Sequence, residues 1–162
     1  QPRRKELIML KILIKKWDEN KEKLQYELST RRGLNSCEYK DLVKLTFEVI
    51  YNSGELWELN KLDLKRITEI DNGSYQGTLL YLIPFDCYQP SEYEYLMTYV
   101  GYGSCSGCDT LLNIQGCSYE ALLSESQVKD FMKLCKDILT NTIKPYNGGW
   151  RNDEEFEHVE EK

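Results

Sequence analysis

The sequence predicts an α+β fold: a three-stranded antiparallel meander packed with about three helices, the first of them long. Three observations carry that expectation. Residues 3–30 repeat apolar side chains at helical spacing, and residues 124–139 do so again. Between them, residues 62–102 form three runs of strand character, separated by an Asn-Gly turn and a Pro-bounded turn. Connections that short make neighbouring strands antiparallel. With 162 residues and 41% apolar content, the chain has the size of one domain with a real core. We assign that domain to residues 1–150 and expect 151–162 to be a mobile acidic tail.

The first helix runs from Arg3 to about Thr30. Leu7, Leu10, Ile14, Trp17, Leu24 and Leu28 follow a heptad rhythm, interrupted where Lys21 takes a core slot. Met9, Ile12 and Leu13 make its first half apolar on a second side. Such a helix is either clasped from two directions by its own domain or shared with a second subunit through residues 3–30. Its basic residues alternate with Glu6, Asp18, Glu19 and Glu22, the pattern of a solvated face and not of a DNA-reading one. Gly33 suits the left-handed position after the last turn. Asn35 or Ser36 then caps a second helix, with Glu38 completing a capping box and Tyr39, Leu42, Val43, Thr46, Phe47 and Ile50 facing the core.

Leu62–Ile70 reads as the first strand and Asp71-Asn72-Gly73-Ser74 as a tight type I′ hairpin turn, because Asn-Gly supplies the positive φ angles it requires. Tyr75–Ile83 is the second strand; its unbroken Leu79-Leu80-Tyr81-Leu82-Ile83 predicts burial on both faces. Pro84–Pro90 turns the chain into a third strand, Glu92–Tyr102, with Tyr93, Tyr95, Met97 and Tyr99 on one face and Leu96 and Val100 on the other. A small-residue loop, Gly103–Asp109, and an apolar patch, Thr110–Ile114, follow. Ser124-Glu-Ser-Gln127 is a capping box opening a helix with Val128, Phe131, Met132, Cys135 and Leu139 inward. Pro145 and Gly148-Gly149 end the ordered pattern.

The net charge of −6 is unevenly placed. Residues 1–66 carry +4, residues 129–162 carry −2, and residues 67–128 contain eight acids and no Lys or Arg. The plainer reading of that depletion is a mostly buried sheet, where Lys is disfavoured; the sharper one is an anionic face that repels phosphate and attracts cations or a basic protein. No nucleic-acid partner is therefore expected. No apolar run approaches the roughly 18 residues of a membrane span, and no signal-peptide pattern opens the chain, so no membrane association is expected. The single His, His158, excludes multi-His metal sites and HExxH proteases, and its place in a charged tail argues against a Ser–His–Asp or Cys–His arrangement.

Six cysteines stand at 37, 87, 105, 108, 117 and 135, at spacings unlike a disulfide scaffold, which predicts reduced thiols in a cytoplasm. Cys135, and by the same reasoning Cys37, read as small buried apolar residues. Cys105-Ser-Gly-Cys108 is the sharper case. The meander puts Cys87 at the opposite end of the sheet, on the order of 30 Å away, so it cannot share a site with that pair. Cys105, Cys108, Asp109 and Cys117 are then the candidate ligands of a metal, with zinc the candidate cofactor, although a closed zinc site prefers two ligand pairs. Redox chemistry needs a lowered thiol pKa, and surroundings of carboxylates without cations predict the reverse. A tight loop whose thiols pack inward is the plainer expectation.

The same topology gathers Asp71, Asn72, Ser104 and Ser106 at the loop end of the sheet, a candidate cation or ligand site, though turn Asp and Asn residues chiefly serve turn geometry. Seven of the twelve tyrosines lie between Tyr75 and Tyr102. Such a tyrosine-rich face is either covered by the protein's own helices or a contact surface; without positive charge it suits protein better than nucleic acid, and Tyr93, Glu94, Tyr95 and Tyr99 are the candidate contact residues.

Asp71-Asn-Gly-Ser-Tyr-Gln-Gly-Thr-Leu-Leu, Pro90-Ser-Glu-Tyr and Tyr102-Gly-Ser-Cys-Ser-Gly-Cys-Asp109 together make residues 67–109 resemble small uncharacterised proteins encoded by tailed bacteriophages. The resemblance covers about a quarter of the chain. It implies a phage product acting in the cytoplasm of an infected bacterium, and it carries no activity or site residues. The function expected is that of a non-enzymatic accessory protein that binds a host protein with a basic surface. Two other readings stand beside it. One is a metal- or ligand-dependent activity at the Cys105–Cys108 loop and Asp71; the other is a subunit that self-associates through the first helix.

Overall fold

A computed structural model describes residues 4–53, 61–74, 76–91, 94–105 and 107–143, with side chains from Met9 onward. Tyr75, Tyr93, Ser106, His158 and the 151–162 tail lie outside the described residues. The fold is α+β, with a three-stranded antiparallel sheet and four α-helices among the described residues.

Helix α1 spans Arg4–Thr30. Its inward stripe is Met9, Leu13, Trp17, Asn20, Leu24 and Leu28, all buried, while Leu10 is half-buried and Ile14 is 47% exposed. The stripe thus follows the 3.6-residue period of a straight helix packed in a globule, not the heptad seam. Asn20, one residue before Lys21, fills the polar slot. Its Nδ2 donates to Ile50 O at 3.2 Å and to Lys16 O at 3.0 Å, which makes its burial tolerable. Full burial of an apolar side chain is worth about 1.5–3 kcal/mol. Exposed helical pairs such as Lys21–Asp18 and Arg31–Glu27 contribute about 0.5 kcal/mol at most. Packing, not surface charge, holds α1.

Gly33 ends the helical segment in the left-handed conformation, φ 87°. The second helix, α2, begins later than the Asn35 capping box implies: it spans Tyr39–Thr46, with Glu38 as its cap and Asp41 completing the box. Asn35 is committed elsewhere. It lies in a 3₁₀ turn, Leu34–Ser36, donates to Glu120 O at 2.9 Å and accepts from Gln127 Nε2 at 2.8 Å. Past Thr46 the helix widens into a π turn, Phe47–Tyr51, which buries Phe47, Val49, Ile50 and Tyr51 together.

Strands β1 (Thr68–Gly73), β2 (Gly77–Pro84) and β3 (Tyr95–Tyr102) form a meander in the order β1-β2-β3. The expected strand over 62–70 is corrected: the ladder starts at Thr68 and runs through Asp71, Asn72 and Gly73, while Leu62 only bridges Phe85. The type I′ turn at Asn72-Gly73 is therefore not formed, since both residues pair within the ladder, opposite Thr78 and Gly77. Gly73 faces Gly77 across the ladder, where a Cβ on Gly73 would press on Gln76 O and stand 2.8 Å from Gly77 Cα and 2.9 Å from Tyr102 Oη. Glycine is there for close backbone approach, not for a positive φ.

Helix α3, Thr110–Gln115, is the apolar patch after the Cys loop, and α4, Glu125–Thr140, opens on the expected Ser124–Gln127 capping box. Val128, Phe131, Leu134, Cys135, Ile138 and Leu139 of α4 are buried. This helix packs against α1, α2, α3 and β3, and Thr98 Oγ1 of β3 donates to Ile138 O at 2.7 Å. The helices thus cover the sheet face that carries Tyr81, Ile83, Leu96, Thr98 and Val100.

Candidate functional site

The loop after β3 is built around Asp109. Its Oδ2 accepts from Gly103 N–H at 2.9 Å, closing the loop on itself. Its Oδ1 accepts from Leu112 N–H at 3.0 Å, capping α3, and from Tyr39 Oη at 2.9 Å, tying the loop to α2. Leu111 N–H in turn donates to Tyr39 Oη at 3.1 Å. Burial raises the Tyr39 phenol to about 12, and its bond to Asp109 adds to that rise. Asp109 is itself buried, 4% exposed. Its carboxylate satisfies three donors of the fold.

Cys105 and Cys108, by contrast, are exposed, with their sulfurs 3.2 Å apart, so the expectation of inward-packed thiols does not hold for this pair. Cys108 N–H and Asp109 N–H both donate to Cys105 O, at 3.1 and 2.9 Å, folding the segment into a tight turn. Cys108 Sγ receives Cys105 N–H at 3.3 Å and lies 3.8 Å from Ser104 Oγ. The Cys105 thiol is the first cause of a lowered Cys108 pKa, followed by Cys105 N–H and the Ser104 hydroxyl. The acid-rich sequence predicts the reverse, because it shows charges but not the turn that brings Cys105 N–H, the Cys105 thiol and the Ser104 hydroxyl around one sulfur, which as a thiol itself donates to Cys105 O at 3.4 Å. Gly103 makes room for this: a Cβ there would sit 2.6 Å from Cys108 Sγ.

The other thiols differ. Burial pushes Cys135 up to about 12, and burial, then Asp41, does the same to the half-buried Cys37. Cys87 is raised by desolvation and by its bond to Glu94. Cys117 is exposed in the turn after α3. All six are free thiols. Among the described residues no group of three or more His, Cys, Asp or Glu is placed to hold a metal ion.

Asp71 and Asn72 do stand at the loop end of the sheet, but inside β1, opposite Leu79 and Thr78. Tyr102 Oη donates to Asp71 Oδ1 at 2.6 Å, which raises the Tyr102 phenol. Cys87 lies at the opposite end, as the meander requires, beyond the Pro84↔Tyr95 pair.

The tyrosine-bearing face of β3 is the other feature of note. Cross-strand pairing aligns Ile70, Leu80 and Tyr99 in one row, and Thr68, Leu82 and Met97 in the next, with Tyr95 beyond. Ile70 is 44% and Tyr99 43% exposed, and Leu80, Leu82, Tyr95 and Met97 are half-buried. The double-sided burial expected for residues 79–83 is corrected by this face: Tyr81 and Ile83 enter the core, while Leu80 and Leu82 point away from it. Glu69 and Asp71 of edge strand β1, though exposed, alternate to the other face, opposite Tyr81 and Leu79, and Tyr81 Oη donates to Glu69 Oε2 at 2.8 Å. Glu94, expected at the contact surface, holds the turn before β3, accepting from Ser91 Oγ at 3.1 Å and from the Cys87 thiol at 3.4 Å. Sequence reasoning found Tyr95 and Tyr99 but missed Ile70, Leu80 and Leu82, because only the β1–β2 register reveals that they join them.

Grooves of about 520 and 580 Å³ run along α1, and one of about 670 Å³ lies before α4. Their linings include neither the dithiol nor Asp71. No helix among the described residues is long and apolar enough to cross a membrane. Compared with known proteins, the chain matches no family, no curated protein and no solved structure.

Proposed function

We propose that this chain is a non-enzymatic accessory protein that binds a partner protein through the outer face of its sheet, and that the partner presents an apolar patch ringed by basic side chains. The observation that carries the reading is the Ile70–Leu80–Tyr99 row on the sheet face turned away from the core, in a segment of 62 residues with eight acids and no Lys or Arg. Contiguous exposed apolar surface is costly in water and marks contact sites. Aromatic side chains supply large rigid contact area, and unbalanced acidic charge steers a basic partner to it and excludes nucleic acid. The resemblance to phage proteins directs the search for that partner to the bacterial host cytoplasm.

The test is capture from bacterial lysate at low salt, comparing the parent chain with Tyr99→Ala and Ile70→Lys. Both residues are exposed, so the variants keep the core. A stoichiometric partner is expected, bound at least tenfold more weakly by each variant and more weakly by the parent as salt rises. Failure to recover a partner, or equal binding by all three chains, contradicts the reading.

A further inference from the structure

Two exposed thiols in contact form a different kind of site from the sheet face, and it does not depend on the binding role. We propose that Cys105 and Cys108 are a thiol–disulfide exchange centre, oxidised to an intramolecular disulfide by a small-molecule disulfide of the glutathione class and reduced again by the corresponding thiol.

Four structural features support the assignment. The sulfurs are 3.2 Å apart on one turn, so closing the bond needs a shift of about 1 Å and no rearrangement of the fold. Both thiols are exposed, so a reagent can reach them, while Cys135 is buried and Cys37 half-buried. Cys105 N–H donates to Cys108 Sγ at 3.3 Å, and the Cys105 thiol and the Ser104 hydroxyl stand 3.2 and 3.8 Å from it, so both can turn their protons toward a Cys108 thiolate without a cation. The turn is held from beneath by Asp109, through its bonds to Gly103 N–H, Leu112 N–H and Tyr39 Oη, so the two sulfurs are kept together in the reduced state.

The exchange balances in two steps. The Cys108 thiolate attacks one sulfur of the small disulfide; the S–S bond of the reagent breaks, one thiolate leaves, and a mixed disulfide remains on Cys108. Cys105 gives its proton to solvent and attacks Cys108 Sγ, expelling the second thiolate. The chain loses two electrons and two protons, and the small disulfide becomes two thiols. Preorganisation favours the second step over release of the mixed disulfide, because the resolving sulfur is already in contact.

The experiment equilibrates the full chain in buffers of reduced and oxidised glutathione, blocks remaining thiols by acid alkylation and maps them by mass spectrometry. A linear peptide of residues 103–109 serves as the reference. A Cys105–Cys108 disulfide two hydrogens lighter than the dithiol is expected, with an equilibrium constant for oxidation at least tenfold greater than that of the peptide. It should revert fully in excess reduced glutathione. Cys105→Ser should halt at a mixed disulfide on Cys108, and Cys108→Ser should react at least tenfold more slowly at Cys105. The proposal is overturned if the folded chain oxidises no more readily than the peptide. It is equally overturned if either thiol pairs instead with Cys117 or with a second chain.

Discussion

Asp109 shows how much a single side chain decides here. A carboxylate next to a Cys-x-x-Cys turn reads in sequence as a candidate ligand, and its acceptor chemistry is indeed what the fold uses. Its donors are Gly103 N–H, Leu112 N–H and the Tyr39 hydroxyl, the last 70 residues away in the chain. No local pattern announces a partner at that distance. Cys135 was legible, because its helix stripe alone places it inward, and its burial makes a pH prediction possible. Its thiol is held near 12 in the fold, against about 8.5 in an unfolded chain. The raised folded value means its contribution is complete below about pH 8.5 and is lost as pH climbs toward 12, since the unfolded state releases its proton first. Urea unfolding should therefore show the parent chain losing about 1–2 kcal/mol more stability between pH 8 and pH 10 than Cys135→Ala. Parallel pH dependences of the two chains would contradict this burial.

At the scale of elements, periodicity was the readable signal and register was not. The helices α1 and α4 emerge where apolar spacing and the Ser124–Gln127 box put them. The cap of α2 moved from Asn35 to Glu38 because Asn35 is spent on Glu120 O and Gln127, contacts made 85 and 92 residues away. Asn-Gly at 72–73 signals a turn by local preference, yet the strands run past it. Six pairs from Thr68↔Leu82 to Gly73↔Gly77 form there, and they set Ile70 opposite Leu80 and Asp71 within reach of Tyr102 Oη. Local propensity amounts to about 1 kcal/mol, and a ladder of cross-strand contacts outweighs it. Gly73→Ala tests that register. Its Cβ would clash with Gln76 O and crowd Gly77 Cα, so a loss of about 2–3 kcal/mol is expected from denaturant unfolding. Gly101→Ala is the control, since its nearest contact would be Gly77 O at 3.9 Å, and it should cost less than about 1 kcal/mol. Equal losses for the two would mean that Gly73 is not packed against Gly77.

For the whole molecule, the charge segregation along the chain becomes a division of surfaces. Among the described residues, the basic-rich first segment is chiefly helical, in α1 and α2, whereas Glu69, Asp71, Asp86 and Glu94 lie on the sheet or in the β2–β3 connection. One sheet face closes the core with Tyr81, Ile83, Leu96 and Val100; the other offers Ile70, Tyr99 and their half-buried neighbours. That the meander has two unlike faces was implied by the alternation in β3, but which residues of β1 and β2 share the outer face depended on pairing. Ile14, 47% exposed on α1, marks the rival surface that self-association would use. Hydrogen exchange on the captured complex, compared with the free chain, separates these surfaces directly. Docking on the sheet predicts slowed exchange confined to residues 68–73 and 95–102, with α1 unchanged; protection along α1 with the sheet unaltered would contradict it.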